Sequence, residues 1–351
     1  YTVFENNTDS VVTLDMISSF AITDIDADTL HRATSFWSAE GKMLRQKLTE
    51  LNMERSWSGH GIRIEKFGQV GSMPVRKWFP FVAVENSDKN EFIGVQLYCP
   101  SSWQIELFRY KEPLTLLGGL GDYDYGHWCK EILPGESFAS PKAIVAVGEN
   151  LNKVCDMLVK AQNPEISPVD ADLPVIFNEY CTSWGNPTIE NLEKTAKKLQ
   201  GSGIRYLVMD SGWYKEEGKN WWDTIGDWNV SEQLFPEGLK PVNDMIKSYG
   251  LIPGIWFEME NVAPLSAVYN ETDHLLSRQG VPLSVGGHRF LDMRDEWCVN
   301  YLDEKVIKLL ADSGYGYLKV DYNENIGVGC DGAESLGEGL RQYVLGSQDY
   351  F

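Results

Sequence analysis

No two cysteines in this chain are spaced C-x-x-C, no histidine stands in an H-E-x-x-H or H-x-H arrangement, and no apolar run approaches the roughly eighteen residues that a membrane helix needs. Each absence closes a class of function. The six cysteines (Cys99, Cys129, Cys155, Cys181, Cys298 and Cys330) are scattered singly, which excludes a dense disulfide scaffold. The five histidines are dispersed as well, so no metal site and no cofactor is assigned. Without a spanning segment the chain is expected to have no membrane partner. Basic residues are the next shortage: 31 Lys and Arg stand against 51 Asp and Glu, a net charge of −20. Such a field repels phosphate backbones, which excludes nucleic acid as a partner and favours a neutral substrate. The chain begins at Tyr1 without a basic segment leading into an apolar one, so no secretory leader is read. The N-x-S/T sequons at Asn6, Asn229 and Asn270 do not decide between a cytoplasmic and a secreted protein.

What is plentiful is tryptophan, 12 in 351 residues, and flat apolar rings are what the C–H faces of sugars stack on. The length calls for two domains. Residues 1–165 read as short alternating strands between turns, including "PFVAVEN", "EFIGVQLYC", "WQIELFRY" and "KAIVAVG", the pattern of a β-sandwich. Within them only "LNKVCDMLVKAQ" (151–162) has a clear helical period. The proline- and acid-rich 163–174 reads as a linker.

From 166 to 351 the rhythm becomes strand, helix, strand, helix. The runs "VIFNEYC" (175–181), "IRYLVMD" (204–210), "LIPGIWFE" (251–258) and "YGYLKVD" (315–321) each precede a helical stretch, after a long loop in the second unit and weaker after the third, and the last helix is expected over 334–351. Repeated βα units predict a parallel sheet, open or closed as a barrel. In a barrel the C-terminal strand ends line the active site. Here those ends are Glu179, Asp210, Glu258 and Asp321, four carboxylates converging on one rim. One acid at a strand end is ordinarily a loop or capping residue, but convergent like charges repel and are a signature of a functional site. No D-x-D-x-D-G spacing points to a metal, which leaves sugar hydroxyls as what the carboxylates would bind.

Trp184, Trp213 and Trp256 flank the same strand ends. Lys319, two residues before Asp321, shares its face and can hold that carboxylate ionised, which makes Asp321 a candidate nucleophile for glycosyl transfer. The bland alternative for Lys319 is a salt bridge at the rim. Asp227, in the thirty-residue loop after the second strand, reads either as a substrate ligand or as a turn residue. Asn323, just beyond Asp321, is counted with the sugar-binding set.

Taken together and in order, "EYCTSW", "MDSGWY", "IGDWNVSEQLFPEGLKPV", "GLIPGIWFE", "FLDMRDEW" and "YLKVDYN" resemble the α-galactosidases, or melibiases, of glycoside hydrolase family 36, and "LPGESFASPKAIVAV" resembles the end of that family's N-terminal sandwich. The resemblance implies a multidomain α and β fold, a β-sandwich followed by the first half of a (β/α)8 barrel. It implies Asp321 as nucleophile of a retaining double displacement on terminal α-linked galactose. It also implies Lys319 as a galactose ligand, Asp210 on the O4/O6 side, and Trp256 with Trp184 as the pocket wall. A homo-oligomer is compatible with it.

Two departures stand out. Ser211 occupies the place where the family commonly carries a second aspartate, which opens α-N-acetylgalactosaminides as an alternative glycone. The acid/base aspartate is expected on a later strand than the four counted here. The chain is therefore expected to be an internal piece of a longer enzyme, inactive by itself, with a non-hydrolytic galactoside-binding protein as the rival from another class. A sugar-phosphate barrel is disfavoured by the acidic rim.

Overall fold

The computed structural model describes residues 1–55, 62–111, 113–216 and 218–350. The chain divides into two compact units, Tyr1–Pro164 with Asn325–Gln348, and Glu165–Glu324 with Asp349–Phe351.

The first unit is a β-sandwich. One sheet has four antiparallel strands in the order Ser18–Ile25, Leu114–Leu120, Trp103–Tyr110 and Ile62–Gln69. The other has five, in the order Lys142–Gly148, Glu91–Tyr98, Trp78–Asn86, Thr29–Phe36 and Ala39–Lys47. Side chains alternate across each strand, so Val82, Val84, Val95, Leu97, Ile105 and Leu107 meet in the core between the sheets. The opposite face of the five-stranded sheet, Phe81, Phe92, Ile144 and Ala146, takes Val154 and Leu158 of the helix Leu151–Gln162. That helix starts where its period predicts, because the Asn150 side chain accepts the Lys153 N–H.

The helix Leu336–Tyr350, expected with the barrel, belongs up to Gln348 to this first unit. The reason is a buried polar cluster: Glu338 accepts from Trp128 Nε1 at 2.9 Å, and the Ser335 hydroxyl donates to the Cys129 carbonyl at 2.8 Å.

The second unit carries a four-stranded parallel sheet in chain order, Val175–Asn178, Ile204–Met209, Ile252–Phe257 and Tyr317–Val320. Helices Ile189–Leu199 and Lys240–Ser248 follow the first two strands, the former capped by the Thr188 hydroxyl. The weaker helix expected after the third strand is absent. The stretch forms the short 3-10 turns Ala267–Asn270 and Thr272–His274 and two-residue ladders, since Pro264, Pro282 and several glycines interrupt any helical period. A helix resumes at Glu296, passes through a π-helical segment, Asp303–Ile307, and ends at Ser313 with Gly314 in the left-handed region at φ +70. Among the described residues no helix is long and apolar enough to cross a membrane.

Candidate active site

All four carboxylates fall one residue beyond their strands. The ladder sets their level: the Glu179 N–H donates to the Val208 carbonyl at 3.1 Å and the Asp321 N–H to the Phe257 carbonyl at 2.8 Å. The parallel register thus brings together, on one rim, residues up to 142 positions apart in sequence, from Glu179 to Asp321.

Asp321 is half-buried and its two oxygens are oriented by different donors. Oδ2 accepts from Trp256 Nε1 at 3.0 Å and from Asn323 Nδ2 at 3.3 Å, and Oδ1 accepts from the Tyr322 N–H at 3.0 Å. Lys319 does not hold Asp321, as its shared strand face suggests. Its ammonium donates to Asp210 Oδ2 at 2.7 Å. The register explains the difference: Lys319 lies opposite Trp256, and Asp210 sits one residue beyond the Met209–Ile255 pair, so the three occupy one row across the sheet. The other oxygen of Asp210 accepts the Ser211 N–H at 2.8 Å. The Ser211 hydroxyl itself is fully buried and without a hydrogen-bond partner.

Glu179 and Glu258, like Asp210, are buried more deeply than Asp321. Burial raises the Glu179 carboxyl above its ordinary range, and the Asp210 charge adds to this, while the Asp210 N–H, donating to Oε1 at 3.1 Å, opposes it. Glu258, 2 % exposed, is raised likewise by burial first and by the Asp321 charge. Its carboxylate is already occupied by protein donors, namely Asn261 Nδ2 at 2.9 Å, the Asn323 N–H at 3.1 Å and Asn323 Nδ2 at 3.0 Å.

The aromatic residues separate into two kinds. Trp213 is completely buried, stacked on Trp228, and its Nε1 donates to the Trp256 carbonyl at 3.0 Å, so it supports the third strand from behind. Trp184 is 69 % exposed, with its ring edge-on to Tyr180. Trp256 is buried with its Nε1 toward Asp321, and Trp221 stands edge-on to it at 5.8 Å. The loops after the first two strands approach so closely that a side chain on Gly212, at φ +96, would meet the Gly185 carbonyl at 2.2 Å.

Asp227 caps a turn. Its carboxylate accepts from the Ser266 hydroxyl at 2.6 Å and from the Ala267 N–H at 3.0 Å, at the start of the 3-10 turn Ala267–Asn270. Among the described residues no cluster of three or more His, Cys, Asp or Glu is arranged to hold a metal.

Sequence reasoning missed Asn261 and His288, which are joined by a 2.7 Å hydrogen bond behind Glu258. Asn261 was detectable as a polar residue three positions past a strand-end acid. His288 pairs with Val285 across a tight turn and carries no local signal.

The sequence model of the family described as Melibiase matches residues 137–349. The chain is 25% identical over 314 residues to alpha-galactosidase Mel36A of Lactobacillus acidophilus, covering 86% of this chain and 42% of that protein. It is 26% identical over 285 residues to alpha-galactosidase AgaA of Geobacillus stearothermophilus, covering 76% and 38%. The crystal structure of the GH36 alpha-galactosidase AgaB from Geobacillus stearothermophilus superposes with a TM-score of 0.83 at 23% identity, over 99% of this chain and 48% of that one, which shows the same fold. The chain therefore spans less than half the length of these relatives. With the family's sequence model matching well over half of its residues, the chain belongs to the melibiase family.

Proposed function

We propose that this chain is the nucleophile-bearing part of an enzyme that releases terminal α-linked galactose from oligosaccharides or glycoconjugates with retention of configuration. The observation that carries this reading is Asp321, a half-buried carboxylate at a strand end of a melibiase-family sheet, with both oxygens oriented by protein donors. In the reaction an oxygen of Asp321 attacks the anomeric carbon as the bond to the aglycone oxygen breaks. A β-galactosyl ester forms, and water then cleaves it. The departing oxygen takes its proton from a second carboxyl, which we assign to the part of the relatives' length that this chain does not span. The Lys319–Asp210 pair, one strand row away, presents a cation and an acceptor suited to adjacent sugar hydroxyls, and the exposed Trp184 ring offers a stacking surface.

Structures of AgaA variants from Geobacillus stearothermophilus in complex with stachyose and with raffinose support extending galactose-containing oligosaccharides to this chain as substrates. Ser211 brings no charge beside Asp210, and N-acetylgalactosamine is kept as the alternative glycone.

The test is hydrolysis of p-nitrophenyl α-galactoside and α-N-acetylgalactosaminide by the complete coding product, the 351-residue chain and Asp321→Asn. Turnover of one substrate by the complete product, abolished by Asp321→Asn, is expected. Binding of galactosides without turnover would make Asp321 a ligand and replace the hydrolase by a galactoside-binding protein.

A further inference from the structure

Glu258 is buried, takes three hydrogen bonds from protein donors, and has no part in the displacement described above. Its surroundings nevertheless have a strict polarity. An ionised carboxyl only accepts hydrogen bonds, whereas a side-chain amide donates from one edge and accepts at the other. Because Glu258 Oε1 takes Asn261 Nδ2, the Oδ1 edge of Asn261 must face His288, which meets it with Nδ1 at 2.7 Å and so carries its proton there. Because Glu258 Oε2 takes Asn323 Nδ2 at 3.0 Å, the amino edge of Asn323 is turned inward, and its second hydrogen reaches Asp321 Oδ2 at 3.3 Å. The Asn323 N–H, donating to Oε1 at 3.1 Å, fixes the backbone of the same residue.

We propose that Glu258 is a positioning residue: its acceptor-only carboxylate orients the Asn323 amide so that it donates to Asp321, and Asn261 with His288 holds Glu258 in that pose. The inference rests on Asp321 being the nucleophile. With Glu258 removed or made an amide, Asn323 is free to rotate by half a turn and set its own carbonyl oxygen against the Asp321 carboxylate, which replaces an attraction by a repulsion. Among the described residues Oδ2 then keeps Trp256 alone as a donor. Glutamine at 258 cannot mimic glutamate, since either orientation of its amide places a donor against a donor.

The experiment is a double-mutant cycle in the complete coding product with p-nitrophenyl α-galactoside, using Glu258→Gln, Asn323→Ala and the pair. Each single change is expected to lower kcat by roughly 10- to 100-fold, the range of one hydrogen bond to a charged group, with KM changed by less than about threefold. The pair is expected to be no worse than Asn323→Ala alone. Losses that multiply in the pair, or an Asn323→Ala enzyme with the original kcat, would overturn the proposal. Should Glu258→Gln fold poorly, Glu258→Asp reads the same arm, because it withdraws the acceptor by one methylene; its loss must again vanish on the Asn323→Ala background. A parent enzyme inert toward α-galactosides overturns the hydrolase reading instead. The positioning is then decided by a crystal structure of Glu258→Gln. An Asn323 side chain displaced from Asp321, or flipped so that its hydrogen-bond partners place its carbonyl oxygen toward Asp321, supports it, and an Asn323 whose partners still require its amino edge to face Asp321 refutes it.

Discussion

Trp256 Nε1 donates to Oδ2 of Asp321 at 3.0 Å, across the third and fourth strands of the parallel sheet. This donor withdraws charge from one carboxylate oxygen and fixes the plane of the group. Trp256→Phe keeps a ring in the wall and removes only the donor edge. In the complete coding product it should reduce kcat by about 10-fold or more while KM moves little, because one hydrogen bond to a charged group contributes about 1.5–3 kcal/mol. Steady-state kinetics check this, and an unchanged kcat would show that the indole serves packing alone.

The ion pair between Lys319 and Asp210 makes a stability prediction. The Asp210 side chain is only 5% exposed and that of Lys319 is 30% exposed. Lys319→Met strands a buried carboxylate, at a cost of about 2–4 kcal/mol, somewhat below that of a fully buried pair because Lys319 is partly in water. Adding Asp210→Asn should recover much of the loss. Urea unfolding of the single and double variants reads both effects, and a Lys319→Met protein as stable as the parent contradicts the geometry.

Glu179 carries a pH signature. Burial first, then the Asp210 charge, raises its carboxyl above the ordinary value of 4.5. The folded state therefore keeps this proton at pH values where the unfolded chain has released it. The associated stability is fully present below 4.5 and is lost as pH rises through the folded pKa. Glu179→Gln stays neutral throughout, so its stability relative to the parent should increase as pH is raised from below 4.5 toward neutrality. Denaturation midpoints measured across that interval test the sign; a stability of Glu179→Gln minus that of the parent that falls with rising pH contradicts it.

In the first unit the load falls on Glu338, which is fully buried. It accepts from Trp128 Nε1, from Arg341 Nε and its terminal nitrogen at 2.7 Å each, and from Gln342 Nε2 at 3.1 Å. Burial opposes its ionisation, but Arg341, Trp128 and Gln342 outweigh that and hold the carboxyl below 4.5. This contribution is present above 4.5 and disappears as pH falls through the lowered folded pKa. Glu338→Leu leaves the Trp128 and Arg341 donors facing a hydrocarbon, and should cost about 3–5 kcal/mol at neutral pH. Calorimetry would show the fall in Tm, and a variant within a degree of the parent would refute the assignment.

Much of this was legible in the chain because it is local. Strand ends announce themselves where apolar runs stop at Glu179, Asp210, Glu258 and Asp321, and a helix announces itself where Asn150 can cap the period that follows. The order of motifs likewise carried the fold class. The weaker helix after the third strand failed for a local reason too, since its prolines and glycines were visible but weighed less than its apolar residues.

What the sequence determined by itself was therefore which residues stand at the rim: composition and periodicity act over a few positions, and the side chain that ends each strand needs no distant partner to be identified. Which rim residues touch one another was decided by the tertiary structure alone. Lys319 chooses Asp210, 109 positions away, over its neighbour Asp321 because the parallel register sets it level with Trp256. Trp213 disappears behind the strand and Glu258 turns its oxygens to Asn261 and Asn323 for the same reason. Direction and reach between strands are fixed by the sheet, and no pattern within a single strand records them.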